Sequence, residues 1–520
     1  MRAVLALGVT AFTLIAANDP APHVTVDTGK IAGKASGDVE AFLGIPYAAP
    51  PVGPLRWRST QPAARWSGVR PADALGPDCM QARDRADDHR PLSEDCLTVN
   101  VWRPAQRTAR ARPVLVWIHG GGFVAGGSQD PQTWGDALAR RGIVVVTFNY
   151  RLGRLGFFAH PGLSAEHAED PMGNYGYLDQ IAALKWVQRN IARFGGDPRA
   201  VTVMGESAGG ESVLALAGSA MAEGLFARAI VQSGGGREPL LGRRLLRGDL
   251  PERVSAEKAG LAFAKAQNIG GEGPEALAAL RALPAEQVNA RLTMASLIFG
   301  ELERFAGPIE DGRIVTARPA AALATAKGAI PMLVGTTGAD LGFNLAASKD
   351  AAFAQFGDGA AAARAAYDPD GKVALPLVNT RIGADRIMQE PARLVAQTLA
   401  ARGAPAWRFR FSYVATGLAG KPTPGAEHAS DVAYAFDTLD VPLAGKLTPG
   451  DRAVARMLGG YWLNFVRNGD PNGPGLANWP RVDKAGEPML EFEADGKAVA
   501  KADPWKVRLD LAQANAASKP

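Results

Sequence analysis

The chain has 520 residues, of which 47% are hydrophobic and 21% are charged, and its formal net charge is +5. A chain of this length buries well over half of the surface of its unfolded state, so it needs no metal or cross-link merely to fold. The basic residues are spread along the sequence without a clustered stripe, and this distribution predicts no nucleic-acid partner.

The N-terminal segment predicts a signal peptide. Arg2 is followed by an apolar run over residues 3–17 that ends in small residues. This run is short for a membrane span and typical of the apolar part of a signal peptide. We therefore interpret residues 1–17 as a signal peptide and expect an exported protein, periplasmic or secreted. A buried N-terminal strand or helix is the alternative. No later segment is apolar for long enough to predict a membrane span.

The two cysteines, Cys79 and Cys96, are the whole cysteine content of the chain. In an exported protein such a pair predicts one disulfide, whereas a cytosolic protein would keep two unpaired thiols. Neither a C-x-x-C motif nor a metal-ligand spacing is present, so the sequence predicts no metal site.

Short, nearly continuous apolar runs predict strands that are buried on both faces. They lie at residues 99–102, 114–118, 143–148, 201–204, 229–231, 331–334 and 407–413. Helical patterns lie at residues 134–140, 177–194, 207–217, 391–401 and 452–467. This alternation predicts an α/β fold with a large, mostly parallel central sheet covered by helices on both faces.

A helix-rich stretch around residues 237–307 interrupts the alternation of strands and helices. We interpret it as a cap-like insertion over the functional site and residues 18–520 as one domain. The last 20 or so residues are expected to form a weakly anchored tail, as chain ends often do.

The motif GESAG at residues 205–209 follows a predicted strand and precedes a predicted helix. G-x-S-x-G in this context places a serine on a strained turn. The turn leaves no room for a large side chain two residues before or after the serine. The turn lifts the hydroxyl clear of the sheet and sets it at a helix N-terminus, which favours developing negative charge. The motif predicts Ser207 as a catalytic nucleophile.

A serine nucleophile requires a base, and in this arrangement the base follows the serine and the acid in the chain. His428 is the one histidine of six that lies after Ser207. It follows the predicted strand 407–413, in a loop where a catalytic histidine is expected, and it is predicted as the general base.

The acid must orient the histidine and stabilise its charged form. Asp340 lies on the loop that follows the predicted strand 331–334. We predict Asp340 as this acid, while Asp311, Asp358 and Asp431 are alternatives that the sequence leaves open.

The glycine-rich segment HGGGF at residues 119–123 follows the predicted strand 114–118. Glycines allow the backbone to approach a substrate oxygen closely, and backbone amides stabilise the oxyanion that forms in ester hydrolysis. The amides of Gly121, Gly122 and Ala208 are the predicted donors. The same segment matches the dinucleotide-binding motif G-x-G-x-x-A, but the next strand ends at Asn149 where that motif requires an acidic residue. A dehydrogenase is therefore disfavoured.

Together these residues resemble the type-B carboxylesterase/cholinesterase-like family over nearly the whole chain. Further matching segments are FLGIPY at 42–47, PPVG at 50–53, LRW at 55–57, SEDCLTVN at 93–100, GNYG at 173–176, DQ at 179–180 and FGGDP at 194–198. The resemblance implies an α/β-hydrolase fold and hydrolysis of small carboxylic esters through an acyl-enzyme, without metal or cofactor. It also implies the Cys79–Cys96 disulfide and the same triad and oxyanion donors.

The chain departs from this family's pattern in three places. Asp340 stands where the family usually has Glu, the segment between the two cysteines has no tryptophan, and Glu427 stands where a small residue often precedes the histidine. The missing tryptophan argues against a cationic choline ester as substrate.

The sequence leaves the substrate and the oligomeric state open. One hypothesis is that some arginines of the insertion line the entrance and favour anionic esters; they are Arg237, Arg243, Arg244, Arg247 and Arg253. A solvated helix surface is the simpler interpretation of these arginines, and a lipid esterase with an apolar pocket is a further alternative.

The family also contains non-catalytic adhesion proteins, but these lose triad residues that this chain keeps. Amide and thioester hydrolysis would use the same residues.

Overall fold

The computed structural model describes residues 21–83, 88–166, 173–251, 253–299, 306–418, 424–483 and 487–517. The signal peptide predicted for residues 1–17 lies outside the described residues.

Within the described ranges, eleven strands form the central sheet. They are β1 (Lys34–Ser36), β2 (Val39–Pro46), β3 (Thr98–Pro104), β4 (Arg112–Ile118), β5 (Val144–Phe148), β6 (Gly196–Glu206), β7 (Arg228–Gln232), β8 (Met332–Thr337), β9 (Ala406–Phe411), β10 (Met489–Phe492) and β11 (Ala498–Lys501). In space the order is β1-β2-β3-β5-β4-β6-β7-β8-β9-β10-β11. The strands from β5 to β10 in this order pair in parallel, and the pairs at the two edges are antiparallel. The predicted mostly parallel sheet is confirmed.

Strand β4 shows why the central strands are continuous apolar runs. Val114, Val116 and Ile118 pack into one hydrophobic core, while Leu115 and Trp117 pack into a second core. Successive side chains of a strand point to opposite faces of the sheet, so both faces of β4 are buried under helices.

Helices surround the sheet. The α-helices are Asp136–Arg140, Gly153–Gly156, Pro161–Glu166, Tyr175–Asn190, Ala208–Gly218, Ala256–Ala266, Pro274–Ala282, Ala285–Val288, Met294–Phe299, Pro319–Thr325, Lys349–Ala354, Ala360–Tyr367, Leu375–Ala384, Glu390–Ala401, Val432–Phe436, Pro449–Asn468 and Lys506–Ala517. Short 3₁₀ turns lie at Gly53–Leu55, Pro131–Thr133, Ile191–Phe194, Ala220–Ala222, Gly357–Gly359 and Thr416–Leu418, and a π-helical turn at Asp385–Gln389. Two small sheets lie outside the central one and consist of His23–Val26, Gly29–Ala32 and Val69–Pro71, and of Asp78–Cys79 and Leu92–Ser93.

The helix Pro449–Asn468 begins three residues before the predicted 452–467. Thr448 caps it: its hydroxyl accepts from the amide of Asp451, whose carboxylate accepts in return from the amide of Thr448. This reciprocal capping box and the proline in the first turn extend the helix upstream of the apolar periodicity.

The predicted weakly anchored C-terminal tail is wrong. Residues Lys506–Ala517 form a helix whose Leu509 is fully buried. Arg508 Nε donates to Asp385 Oδ2 at 2.8 Å, and Arg393 Nη1 donates to Asp510 Oδ1 at 2.7 Å. Residues more than 100 positions away anchor this segment, so the composition of the segment alone did not indicate that it is anchored.

Cys79 and Cys96 form a disulfide, with their Cα atoms 5.0 Å apart. The stretch 237–307 contains four of the α-helices, from Ala256–Ala266 to Met294–Phe299, and residues 252 and 300–305 of it lie outside the described part of the chain. None of the helices in the described ranges combines the length and the apolar character that a bilayer crossing requires.

Candidate active site

Ser207 lies on a sharp turn between β6 and the helix Ala208–Gly218. Its backbone adopts φ 56° and ψ −123°, a conformation that is uncommon for a residue with a side chain and typical of functional turns. Its amide donates to the carbonyl of Gln232 at 2.9 Å, which ties the turn to the end of β7.

The two glycines of the motif are required by close packing around the turn. A Cβ at Gly205 would lie 2.3 Å from the carbonyl oxygen of Gly209, and a Cβ at Gly209 would lie 2.1 Å from the carbonyl oxygen of Ile118. Any side chain at either position would displace the turn from the sheet, so these contacts explain the spacing of the motif.

His428 and Asp340 are brought together from different loops. His428 Nδ1 lies 2.6 Å from Asp340 Oδ1, and Asp340 is only 2% exposed. Because a carboxylate only accepts, the proton of this bond belongs to Nδ1, which leaves Nε2 as the basic nitrogen. The other oxygen of Asp340 accepts from the hydroxyl of Ser233 at 2.7 Å and from the amide of Thr337 at 3.0 Å.

Glu206, the residue before Ser207, faces His428. Its Oε1 lies 3.0 Å from His428 Nε2. Neither atom has a hydrogen-bond partner among the described residues, and both are buried. The imidazole thus stands between the carboxylates of Glu206 and Asp340, with Nε2 beside the residue that precedes the serine.

These carboxylates control the charge of His428. Burial alone would lower the pKa of His428, but the negative charges of Glu206 and Asp340 outweigh it and raise the pKa to about 9. Burial raises the pKa of Glu206 to about 8, against the opposing effect of the charge on His428. The two side chains therefore compete for one proton in the neutral pH range.

Asp431 is a buried member of the same cluster. Its Oδ2 accepts from the side-chain amide of Gln232 at 2.6 Å, and burial raises the pKa of Asp431 to about 6. Gln232 thus links the loop of His428 to the turn of Ser207, because its carbonyl also accepts from the serine amide. Among the alternative acids, Asp431 binds Gln232 rather than His428.

The two other alternative acids lie in different settings. Asp311 accepts from the amides of Arg313, Ile314 and Val315, which closes a local turn, and Asp358 is exposed. Asp340 is therefore the predicted acid that the structure places against His428.

The glycine-rich segment lies directly against the serine. A Cβ at Gly120 would lie 3.1 Å from Ser207 Cβ. Gly121 and Gly122 have φ angles of 99° and 59°, and a Cβ at Gly121 would lie 2.2 Å from the carbonyl oxygen of Ala125. In the described part of the chain neither glycine amide has a hydrogen-bond acceptor. The amide of Ala208 is the first of its helix and has no acceptor within that helix.

A cavity of about 300 Å³ opens onto Ser207, Gly122 and Ala208. Its walls are mainly apolar and come from the insertion, the loop after Asp340 and the π-helical turn; they include Leu240, Leu241, Met294, Leu341, Phe343, Ile387 and Met388. A second cavity, of about 310 Å³, lies behind the loop of His428 and is not lined by Ser207. The arrangement can accept a small, largely apolar substrate next to the serine hydroxyl.

The five arginines of the insertion have different surroundings. Three pair with carboxylates: Arg237 with Glu390, Arg243 with Glu310 and Arg247 with Glu257. Arg244 is buried and donates to the carbonyl of Val254 at 2.6 Å. Only Arg253 lines the cavity at Ser207. For the other four arginines, the hypothesis that they line the entrance is not supported by these contacts.

Sequence reasoning missed several residues of the site. Glu206, Ser233 and Gln232 carry no motif beyond their positions next to Ser207 and at the end of β7. Ile387 and Met388 lie on the π-helical turn, a local widening that often occurs at functional sites but has no reliable sequence signal.

The relatives found by sequence comparison are esterases and related hydrolases. The sequence profile of the carboxylesterase family matches residues 20–367 and 378–508. The chain is 37% identical to the fumonisin B1 esterase of Sphingopyxis macrogoltabida over 93% of this chain and 89% of that protein. It is 33% identical to the phenmedipham hydrolase of Pseudarthrobacter oxydans over 93% of this chain and 97% of that protein.

Solved structures agree in fold. A PNB esterase superposes with a TM-score of 0.79 at 30% identity, over 94% of this chain and 99% of the esterase. The Geobacillus stearothermophilus carboxylesterase superposes with a TM-score of 0.77 at 33% identity, with the same coverage. These are α/β-hydrolase structures, and the predicted fold is confirmed. The chain belongs to the carboxylesterase family and is a carboxylic-ester hydrolase.

Proposed function

We propose that Ser207, His428 and Asp340 are the catalytic triad of this esterase. The observation that carries the proposal is the 2.6 Å contact between His428 Nδ1 and Asp340 Oδ1, which leaves Nε2 as the basic nitrogen, 3.0 Å from Glu206 Oε1 in the residue before Ser207. A buried carboxylate that holds one imidazole nitrogen makes the other nitrogen the proton acceptor.

In the proposed mechanism, Ser207 Oγ attacks the ester carbonyl carbon while His428 Nε2 takes the hydroxyl proton. The tetrahedral oxyanion accepts hydrogen bonds from the amides of Gly121, Gly122 and Ala208. His428 then gives its proton to the departing alkoxide, and an acyl-enzyme is left on Ser207. Water attacks the acyl-enzyme with His428 again as the base, and the acid is released.

The proposed substrate is a small-molecule ester that enters the cavity at Ser207. We propose that the insertion at residues 237–307 limits what can enter, since Leu240, Leu241 and Met294 form part of the wall. The relatives named for fumonisin B1 and phenmedipham also favour a small organic substrate.

A serine substitution and a covalent inhibitor test the triad. Wild type should hydrolyse p-nitrophenyl butyrate, and Ser207→Ala should lower kcat by at least about 10⁴-fold, because the nucleophile is lost. A serine-directed organophosphate should transfer its phosphoryl group to Ser207 with loss of its leaving group, so only the peptide that contains residue 207 should gain the mass of that group. The control is Ser67→Ala, which changes an exposed serine and should keep the wild-type rate.

Retention of more than about 1% of the rate by Ser207→Ala would refute the nucleophile. A wild type that is inert and unlabelled would favour a binding role like that of the adhesion relatives. Parallel assays with p-nitrobutyranilide and a butyryl thioester measure whether amides and thioesters are also cleaved.

We also propose that the protein is exported after cleavage of residues 1–17. The Cys79–Cys96 disulfide favours this proposal, because disulfides persist in oxidising compartments. Expression with the native N-terminus, followed by intact mass of the protein from the periplasm and medium, tests it. A full-length mass confined to the cytoplasm would refute it.

A further inference from the structure

We propose that Arg253 makes this esterase selective for esters that carry a second, free carboxylate. The inference rests on the proposed function of Ser207 and adds a substrate class to it. It is drawn from the position of one guanidinium in the cavity that opens onto the serine.

Of the described residues that line this cavity, Arg253 is the one that is charged. The other lining side chains are apolar, apart from Ser207 itself. Among the described residues, this cavity wall thus carries one positive charge and no negative one. Arg253 itself is exposed, but the apolar side chains beside it displace part of the surrounding water, so an ion pair with a substrate group is stronger there than in bulk water.

The guanidinium of Arg253 is held in place by backbone rather than by a carboxylate. Its Nη1 donates to the carbonyl of Leu241 at 2.6 Å, and its side chain lies over Gly242, where a Cβ would be only 2.4 Å from Nη2. The amide and carbonyl of Arg253 both bond to those of Leu250, which fixes the backbone. The glycine leaves room for the arginine, and the hydrogen bond orients it.

The neighbouring arginines show what Arg253 lacks. Arg237, Arg243 and Arg247 each pair with a glutamate, whereas Arg253 pairs with no carboxylate of the described residues. One of its five N–H donors is used by the Leu241 carbonyl, and among the described residues no acceptor is recorded for the other four. A planar fork of donors matches a carboxylate, which can accept two parallel hydrogen bonds. A neutral ester offers no comparable acceptor.

Matched esters measure this selectivity. Mono-p-nitrophenyl adipate and p-nitrophenyl hexanoate share a six-carbon acyl chain, and only the adipate carries a carboxylate. We expect wild type to show a higher kcat/KM for the adipate in 20 mM NaCl. The preference should fall in 500 mM NaCl, because salt screens the ion pair.

Substitutions of Arg253 should change the ratio of the two kcat/KM values. Arg253→Gln and Arg253→Met should lower the adipate-to-hexanoate ratio at least tenfold, Arg253→Lys should keep most of it, and Arg253→Glu should lower it further. The control is Arg247→Gln, which removes an exposed arginine outside the cavity and should keep the wild-type ratio.

A ratio that stays within twofold of wild type in both Arg253→Gln and Arg253→Glu would overturn the inference and make Arg253 a solvated surface residue. An adipate-to-hexanoate ratio of wild type that is the same in 20 mM and 500 mM NaCl would also overturn the inference. This measurement uses wild type alone and does not depend on the folding of a variant. If either result is obtained while hexanoate hydrolysis still depends on Ser207, the proposed function remains valid. Absence of hydrolysis of both esters by wild type would instead refute the proposed function.

Discussion

Replacing Glu206 with glutamine should move the pH dependence of the enzyme toward lower pH. Catalysis requires neutral His428, and the acid limb of kcat/KM reports the pH at which the imidazolium loses its proton. The carboxylate of Glu206 stabilises the imidazolium from 3.0 Å and helps to raise the pKa of His428 to about 9. Glutamine has nearly the same shape but no charge.

The separation of the two groups sets the size of the effect. Two unit charges 3.0 Å apart interact by about 5 kcal/mol at an effective dielectric constant of about 20. At 1.36 kcal/mol per pKa unit this is an upper bound of about 4 units. Burial raises the pKa of Glu206 to about 8, so the carboxylate is neutral for part of the range and only a fraction of that bound is realised. We expect the acid limb to move down by about 1 to 2 units.

The assay is pH-stat titration of ethyl butyrate hydrolysis from pH 5 to 10, with kcat/KM measured at each pH. In wild type the rate should still rise above pH 7.5, and in Glu206→Gln it should level off at lower pH. Glu427→Gln is the control, because it removes an exposed carboxylate next to His428 in the sequence. It should leave the acid limb within about 0.3 units of wild type.

An acid limb in Glu206→Gln that is unchanged, or that moves up, would refute this reasoning. It would mean that the shared proton lies on Glu206 and that His428 is already neutral in the one-proton form.

Four further changes have expected outcomes. Asp340→Asn should lower kcat by about 10⁴-fold, because an amide does not stabilise the imidazolium, and Asp340→Glu should recover part of the rate in the same ester assay. Gly209→Ala should lower the free energy of unfolding by about 3 kcal/mol in urea titration, since the added Cβ would lie 2.1 Å from a backbone oxygen. Burial raises the pKa of Glu211 to about 8 from 4.5, so the folded state keeps a proton that the unfolded state releases. Wild-type stability should therefore fall between pH 4.5 and 8, and Glu211→Gln should make that slope in Tm against pH smaller, while Glu206 and Asp431, whose pKa values are also raised, keep the remainder. The double substitution Cys79→Ser with Cys96→Ser should cost about 3 kcal/mol of unfolding free energy, because the disulfide closes a loop with a sequence separation of 17.

The sheet and the turn of Ser207 could be predicted because local sequence determines them. The apolar runs at β4 to β9 carry enough hydrophobicity to define buried strands without knowledge of their partners. Glycine is required at 205 and 209 by close contacts with residues near the serine and with the adjacent strand. The short strands β10 and β11 near one edge of the sheet were not predicted, since four residues of mixed polarity give no clear period.

The pairing of the predicted site residues required long-range information. His428 was predicted because it is the one histidine after Ser207, and Asp340 because it follows a buried strand. Their contact spans 88 positions of the chain, and only the parallel order of β7, β8 and β9 brings the two loops to one edge of the sheet.

The sequence by itself determined the fold class, the esterase family and the set of candidate residues, because motif spacing and apolar periodicity are local properties. Only the tertiary structure decided the electrostatics. It placed Glu206 against His428, joined Asp431 to Gln232, and paired three insertion arginines with glutamates while Arg253 faces the cavity. Coulomb interactions depend on the distances between residues far apart in the chain and on the burial of these residues. Neither quantity can be obtained from the amino-acid sequence alone.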